Sequence, residues 1–88
     1  MADRSSEKRA SELEGEKRLL VKADADIEAG LTRISNQQDL LSSLRAAGEN
    51  TREAERLVHL MEQTLVEWQR HRALIEQRIA HLERKVFL

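Results

Sequence analysis

The 88-residue chain has no cysteine and no proline. Without cysteine there are no disulfides, no thiolate metal sites and no cysteine nucleophile. Without proline, no interior position is barred from a helix. Glycine occurs only at 15, 30 and 48, and the aromatics are Trp68 and Phe87 alone, too few for an ordinary globular core. No apolar run exceeds three residues, as at Leu19-Leu20-Val21, so no membrane span is expected. The opening Met1-Ala2-Asp3-Arg4-Ser5-Ser6 lacks the apolar stretch of a signal peptide, and a cytoplasmic, reduced setting is the expectation. Charge of one sign is missing too: 15 bases stand against 16 acids. No block carries the basic stripe that phosphate contacts need. The densest basic spot is Arg70-His71-Arg72, where successive helical residues point in different directions.

What is present is a seven-residue repeat, running once on each side of a single break at Gly48-Glu49-Asn50-Thr51. Before the break, one position per heptad reads Leu13, Leu20, Ile27, Ile34, Leu41. After it, steps of four and three give Ala54, Val58, Met61, Leu65, Trp68, Arg72, Ile75, Ile79, Leu82, Val86. This period predicts two long helices, each with a narrow apolar seam. Charged residues at 35% and hydrophobic residues at 40% fit that class. The fold expected is all-α: an antiparallel two-helix coiled-coil hairpin that dimerises into a four-helix bundle.

The turn is legible in detail. Gly48 follows Ala46-Ala47 where a left-handed C′ residue is wanted. Asn50 or Thr51 can cap the second helix, and Asn50 with Glu53 has capping-box spacing. Glu53 and Glu55 lie where the macrodipole favours negative charge. So short a connection makes the helices antiparallel neighbours. Helix 1 is expected over about 5–47, the turn over 48–51 and helix 2 over about 52–86. Residues 1–12 are polar or small and read as a flexible tail, fraying ahead of a hairpin at 13–88.

Two registers fit the hairpin. In one, Gly30 faces Trp68, and the layers pair Leu44 with Ala54, Leu41 with Val58, Gln37 with Met61, Ile34 with Leu65, Ala23 with Ile75 and Leu20 with Ile79. Leu13 and Val86 close the far end. A half-heptad shift instead sets Trp68 against Ile34 and Arg72 against Gly30. In both, Gly30 borders a bulky residue, which is its packing role; the alternative is a hinge, since glycine inside a helix costs about 1 kcal/mol against alanine. Gly15 has no large partner in either register. Arg72, the one charged residue on the second seam, is expected to pack its stem and reach Asp24, Asp26 or Glu28. A register-specifying role is compatible with that, and Gln37 and Glu16 play a similar part on helix 1.

Beside the second seam, one flank reads Glu55, Glu62, Gln69, Glu76, Glu83 and the other Leu57, Thr64, His71, Arg78, Lys85. Leu57, Leu60 and Leu74, with Leu19, Leu31 and Leu40 on helix 1, fall outside the narrow seam. These six are the candidate interface residues. They widen the apolar stripe beyond what one hairpin covers, and small chains of this kind rarely hold together alone. A homodimer with two-fold symmetry is therefore expected.

Catalytic constellations are missing from the sequence. The residues three before His59, His71 and His81 are Arg56, Trp68 and Arg78, so the Glu-x-x-His spacing of a di-metal bundle fails each time. Asp24, Asp26 and Glu28 alternate, as in half a calcium loop, but without its glycine and terminal Glu. There is no phosphate-cradling glycine loop and no serine elbow. No enzyme, metal or cofactor is expected.

Residues 27–75 resemble a group of short helical-hairpin proteins of alphaproteobacteria with no assigned function. The resemblance is carried by Ile27-x-x-Gly30-x-x-Arg33-Ile34-x-x-Gln37, by Leu41, Leu44 and Gly48, and by Thr51-x-x-Ala54. It continues through Leu57, Met61, Thr64-Leu65 and His71-Arg72 to Ile75. The Gly-x-x-Thr turn and the His-Arg pair are its most specific parts. Glu49-Asn50 departs from the His-Asp of that pattern. The resemblance implies the hairpin fold and no particular activity.

Three functional classes follow. The first is a non-enzymatic interaction or scaffold module, partnering itself and another protein through exposed apolar flank residues. The second is a small-ligand-binding bundle in which Gly30, Ala23 and Trp68 border a cavity. The third, with least in its favour, is nucleic-acid binding through Arg70, Arg72 and Arg78.

Overall fold

The structure, a computed structural model, describes the backbone of residues 4–87 and side chains as far as Lys85. Two helices, α1 (Arg4–Ala46) and α2 (Arg52–Phe87), account for nearly all of it, with no strand among the described residues. The side chain of Val86, expected opposite Leu13, lies outside the described residues, as do residues 1–3 and 88 of the expected tail and hairpin.

The heptad positions are the ones that leave solvent. Along α2, Ala54, Val58, Met61, Leu65, Trp68, Arg72, Ile75, Ile79 and Leu82 are buried or half-buried, and every other described side chain from Arg52 to Lys85 is exposed. Along α1 the same spacing recurs at Leu13, Glu16, Leu20, Ala23, Ile27, Gly30, Ile34, Gln37, Leu41 and Leu44. It extends back to Ser6 and Arg9. The first seam therefore carries polar side chains at Ser6, Arg9, Glu16 and Gln37 and only small residues at Ala23 and Gly30, whereas the second is apolar except at Arg72. This is why α1 looks less amphipathic than its partner although both follow one period.

The chain divides into two compact units. One is Asp26–Gln69, which holds the turn; the other joins the residues before Asp26 to those after Gln69. In the turn unit, Ile34, Leu41 and Val58 are buried, with Leu44, Ala54, Met61, Leu65 and Trp68 half-buried beside them. In the terminal unit, Leu13, Ile75 and Ile79 form a core cluster against which Leu20, Ala23 and Leu82 pack. Ile75, at 1% exposure, is the most enclosed large side chain among the described residues.

Between the helices the backbone closes as a Schellman motif. Gly48 has φ +72°. The Glu49 amide donates to the Leu44 carbonyl at 2.9 Å and the Gly48 amide to the Arg45 carbonyl at 3.1 Å, satisfying carbonyls that the end of α1 would orphan. Thr51 caps α2, its carbonyl accepting the first helical bond from the Glu55 amide at 2.9 Å. Asn50 Oδ1 accepts from the Arg52 amide at 3.0 Å. That bond is a local Asx turn, two residues on, and not the bond to the Glu53 amide that a capping box at Asn50 and Glu53 calls for.

Glu55 ties the two helix ends together. Its Oε1 accepts from Arg45 Nη2 at 2.9 Å and from Thr51 Oγ1 at 3.2 Å. Arg45 stands in the last turn of α1 and Glu55 in the first turn of α2, where each also meets the favourable pole of its own helix. The Arg45 bond first, and the Thr51 bond second, hold the Glu55 carboxyl below its ordinary value.

Gly48→Ala forces a β-carbon into the left-handed region, and a loss of about 1 kcal/mol is expected, read as a lower urea midpoint with unchanged slope. Because the folded carboxyl of Glu55 has the lower pKa, its contribution is present above the unfolded value and fades as pH falls through the folded one. The thermal midpoint of the native chain should therefore drop further than that of Glu55→Gln as pH is lowered below about 4.3.

Candidate functional site

Each of the six flank leucines singled out by the heptad pattern is about half exposed: Leu19, Leu31, Leu40, Leu57, Leu60 and Leu74 range from 44% to 49%. Val21 and Val66 are exposed as well, at 72% and 51%. The pattern did not single these two out, because each follows directly on a seam residue (Leu20 and Leu65) and reads as part of its run. Among the described residues eight large apolar side chains are thus exposed and six are buried.

In the turn unit, Leu40, Leu57 and Leu60 border adjoining clefts that Leu31 and Val66 do not line. Leu57 and Leu60 stand between two clefts and line both. The first, about 310 Å³, has Gly30, Met61, Leu65 and Trp68 as its floor and Arg33 and Thr64 on its walls. The second, about 490 Å³, is bounded by Leu40, Leu44 and Ala54, with Glu53 and Arg56 among its polar lining. Thr64 belongs to the flank expected with Leu57, one heptad on; Arg33 was not singled out, although it precedes Leu40 by one heptad. The Thr64 hydroxyl donates to the Leu60 carbonyl at 3.0 Å, so it presents its methyl group and little free polarity. In the terminal unit, Leu74 and Leu82 border a third cleft of about 400 Å³ with Glu16, Arg78 and His81.

The register follows from Gly30. A β-carbon placed there would lie 3.3 Å from Trp68 Cζ3 and 3.7 Å from Cε3, so the indole lies directly over the glycine. The half-heptad shift, which puts Arg72 against Gly30, is not adopted. Gly30 serves close packing: removing its side chain lets the ring approach the α1 backbone and leaves the first cleft open beside it. Ala23 does not share that cleft; it packs in the Ile75 cluster of the terminal unit.

Polar seam residues find charged partners. Arg72 Nε donates to Asp24 Oδ1, and Nη1 to Glu76 Oε1. Of the three acids within expected reach, Asp24 is the one engaged. The Asp24 bond, and then that to Glu76, raise the guanidinium above its ordinary value. Arg78 Nε lies 3.1 Å from Glu16 Oε1, while the buried Glu16 Oε2 has no hydrogen-bond partner among the described residues. Arg72 and Arg78 are thus paired with carboxylates, which weakens the basic surface a nucleic acid would need. Among the described residues no group of three or more His, Asp or Glu side chains is placed to hold a metal ion, and no helix is long and apolar enough to cross a membrane.

Comparison of the chain with protein-family models, with curated proteins and with solved structures gives no match.

Arg72→Met keeps the stem and removes the charge; because such exposed pairs contribute little, the thermal midpoint should change little. Arg72→Glu sets three acids together and should lower the thermal midpoint more, and Asp24→Arg in that background should recover part of the loss.

Proposed function

We propose that the chain is a non-enzymatic protein–protein interaction or scaffold module, working as a homodimeric four-helix bundle in a cytoplasmic setting. One observation carries the reading: among the described residues eight large apolar side chains are exposed, and three of them, Leu40, Leu57 and Leu60 of the turn unit, line two adjoining clefts. Scattered single leucines on a surface are ordinary, but grouped ones rimmed by polar residues mark an interaction surface. The likeness to short alphaproteobacterial hairpins agrees with this fold and names no activity.

A second reading has one observation of its own. The cleft over Gly30 and beside Trp68 is of the size that takes a small apolar ligand. Trp68 is the only tryptophan, so its emission reports occupancy directly. A metabolite that quenches it at micromolar concentration, with no change in mass, favours this second reading.

For the dimer, sedimentation equilibrium at micromolar concentration should give twice the 10.2 kDa chain mass. A stably helical monomer across that range overturns the first reading.

A further inference from the structure

Granting the dimeric reading, on which this step rests, the geometry points to a particular face and a particular fit: a second copy of this chain packs by two-fold symmetry on the Leu57 and Leu60 flank of the turn unit, each copy inserting its leucine ridge into the Gly30 and Trp68 cleft of the other.

The occupant is argued from three properties of the chain. The first is area. A compact monomer of 10.2 kDa exposes about 5,300 Å², whereas this chain exposes 6870 Å². The excess over the whole chain is about 1,500 Å², so two copies can bury up to about 3,000 Å² between them, within the roughly 2,000–5,000 Å² of obligate homodimers. A peptide or small molecule in one cleft leaves most of that surface wet. The second is self-complementarity. An isologous contact needs a projection and its matching recess on the same surface. Leu57 and Leu60 are a projection, about half exposed, and the adjoining cleft floored by Met61, Leu65 and Trp68 is a recess of matching apolar chemistry. Gly30 is what makes that recess deep, since any side chain there would compete with the indole for space. The third is charge. With a net charge of −1, two copies approach without the mutual repulsion that keeps strongly charged chains apart.

The opposite flank supplies the control. Leu31, 49% exposed, lies one residue past the Gly30 seam position and does not line either cleft of the turn unit.

Leu60→Glu should weaken the dimer by about a hundredfold or more, since the leucine is buried twice by symmetry. Helicity should be retained in the circular dichroism spectrum, and Trp68 emission should be red-shifted at every concentration. Leu31→Glu should remain dimeric. A second measurement avoids the charged variant. The chain lacks cysteine, so Leu60→Cys accepts a single nitroxide label. Placed in a Trp68→Phe background and mixed with the unlabelled native chain, the label meets tryptophan only across the interface. Emission should fall in the mixed dimers, and a label at Leu31→Cys should leave it unchanged. If Leu31→Glu dissociates the dimer while Leu60→Glu does not, or if only the Leu31 label quenches, the proposed face is overturned while the dimer stands. A native chain that is monomeric and helical at all concentrations overturns the face and the dimer together. So does a Trp68 that answers only to a small ligand or to a foreign protein.

Discussion

Two helices that touch along one line can each bury only two side chains in seven. That geometric limit governs the molecule. It explains why a chain with 40% hydrophobic residues still leaves eight large ones among the described residues in contact with water, and why enclosure as complete as that of Ile75 is rare. It also explains where polar residues are tolerated in the seam. Arg72 and Glu16 sit at contact positions, yet the seam is one side chain wide, so a long stem can pack and its charged end can still reach a carboxylate or guanidinium at the edge.

The limit also sets what glycine can do. Gly48 acts through its backbone, taking the left-handed conformation that lets the chain reverse. Gly30 acts through its missing side chain and stays helical. The propensity it gives up is exchanged for the close approach of an indole. The same absence that seats Trp68 leaves a hollow beside Leu57 and Leu60, so one small residue shapes both the interior contact and the outer surface of the turn unit.

Much of this was legible in the residues themselves. The period of the repeat named every contact position from Ala54 to Leu82, because burial in a two-helix pair is a function of heptad phase and little else. The turn was legible because glycine after a helix and Asn-Thr before one have few uses. The register was not. A half-heptad slip keeps apolar residues opposed to apolar residues, and only the distance between Gly30 and the Trp68 ring separates the two arrangements. The choice of Asp24 for Arg72 was narrowed to three acids by reach alone and decided by orientation around the α1 axis. The clefts were foreseen only in part. Arg33, Met61 and Thr64 gather around the same hollow as Leu57 and Leu60, but a one-dimensional pattern does not reveal how two flanks meet over a glycine. The polar seam start at Ser6 and Arg9 was missed because its residues carry no apolar signal.

The placement of the turn has a kinetic corollary. The unit Asp26–Gln69 contains the reversal, so its two arms are joined by a handful of residues and meet at small cost in chain entropy. The terminal unit unites stretches held together covalently only through the whole of its neighbour, as the 48-residue separation of Asp24 and Arg72 illustrates. Zippering outward from Gly48 is the low-entropy route to the native state. By that order the stretches that carry Leu13 and Ile75 come together after those that carry Leu41 and Val58.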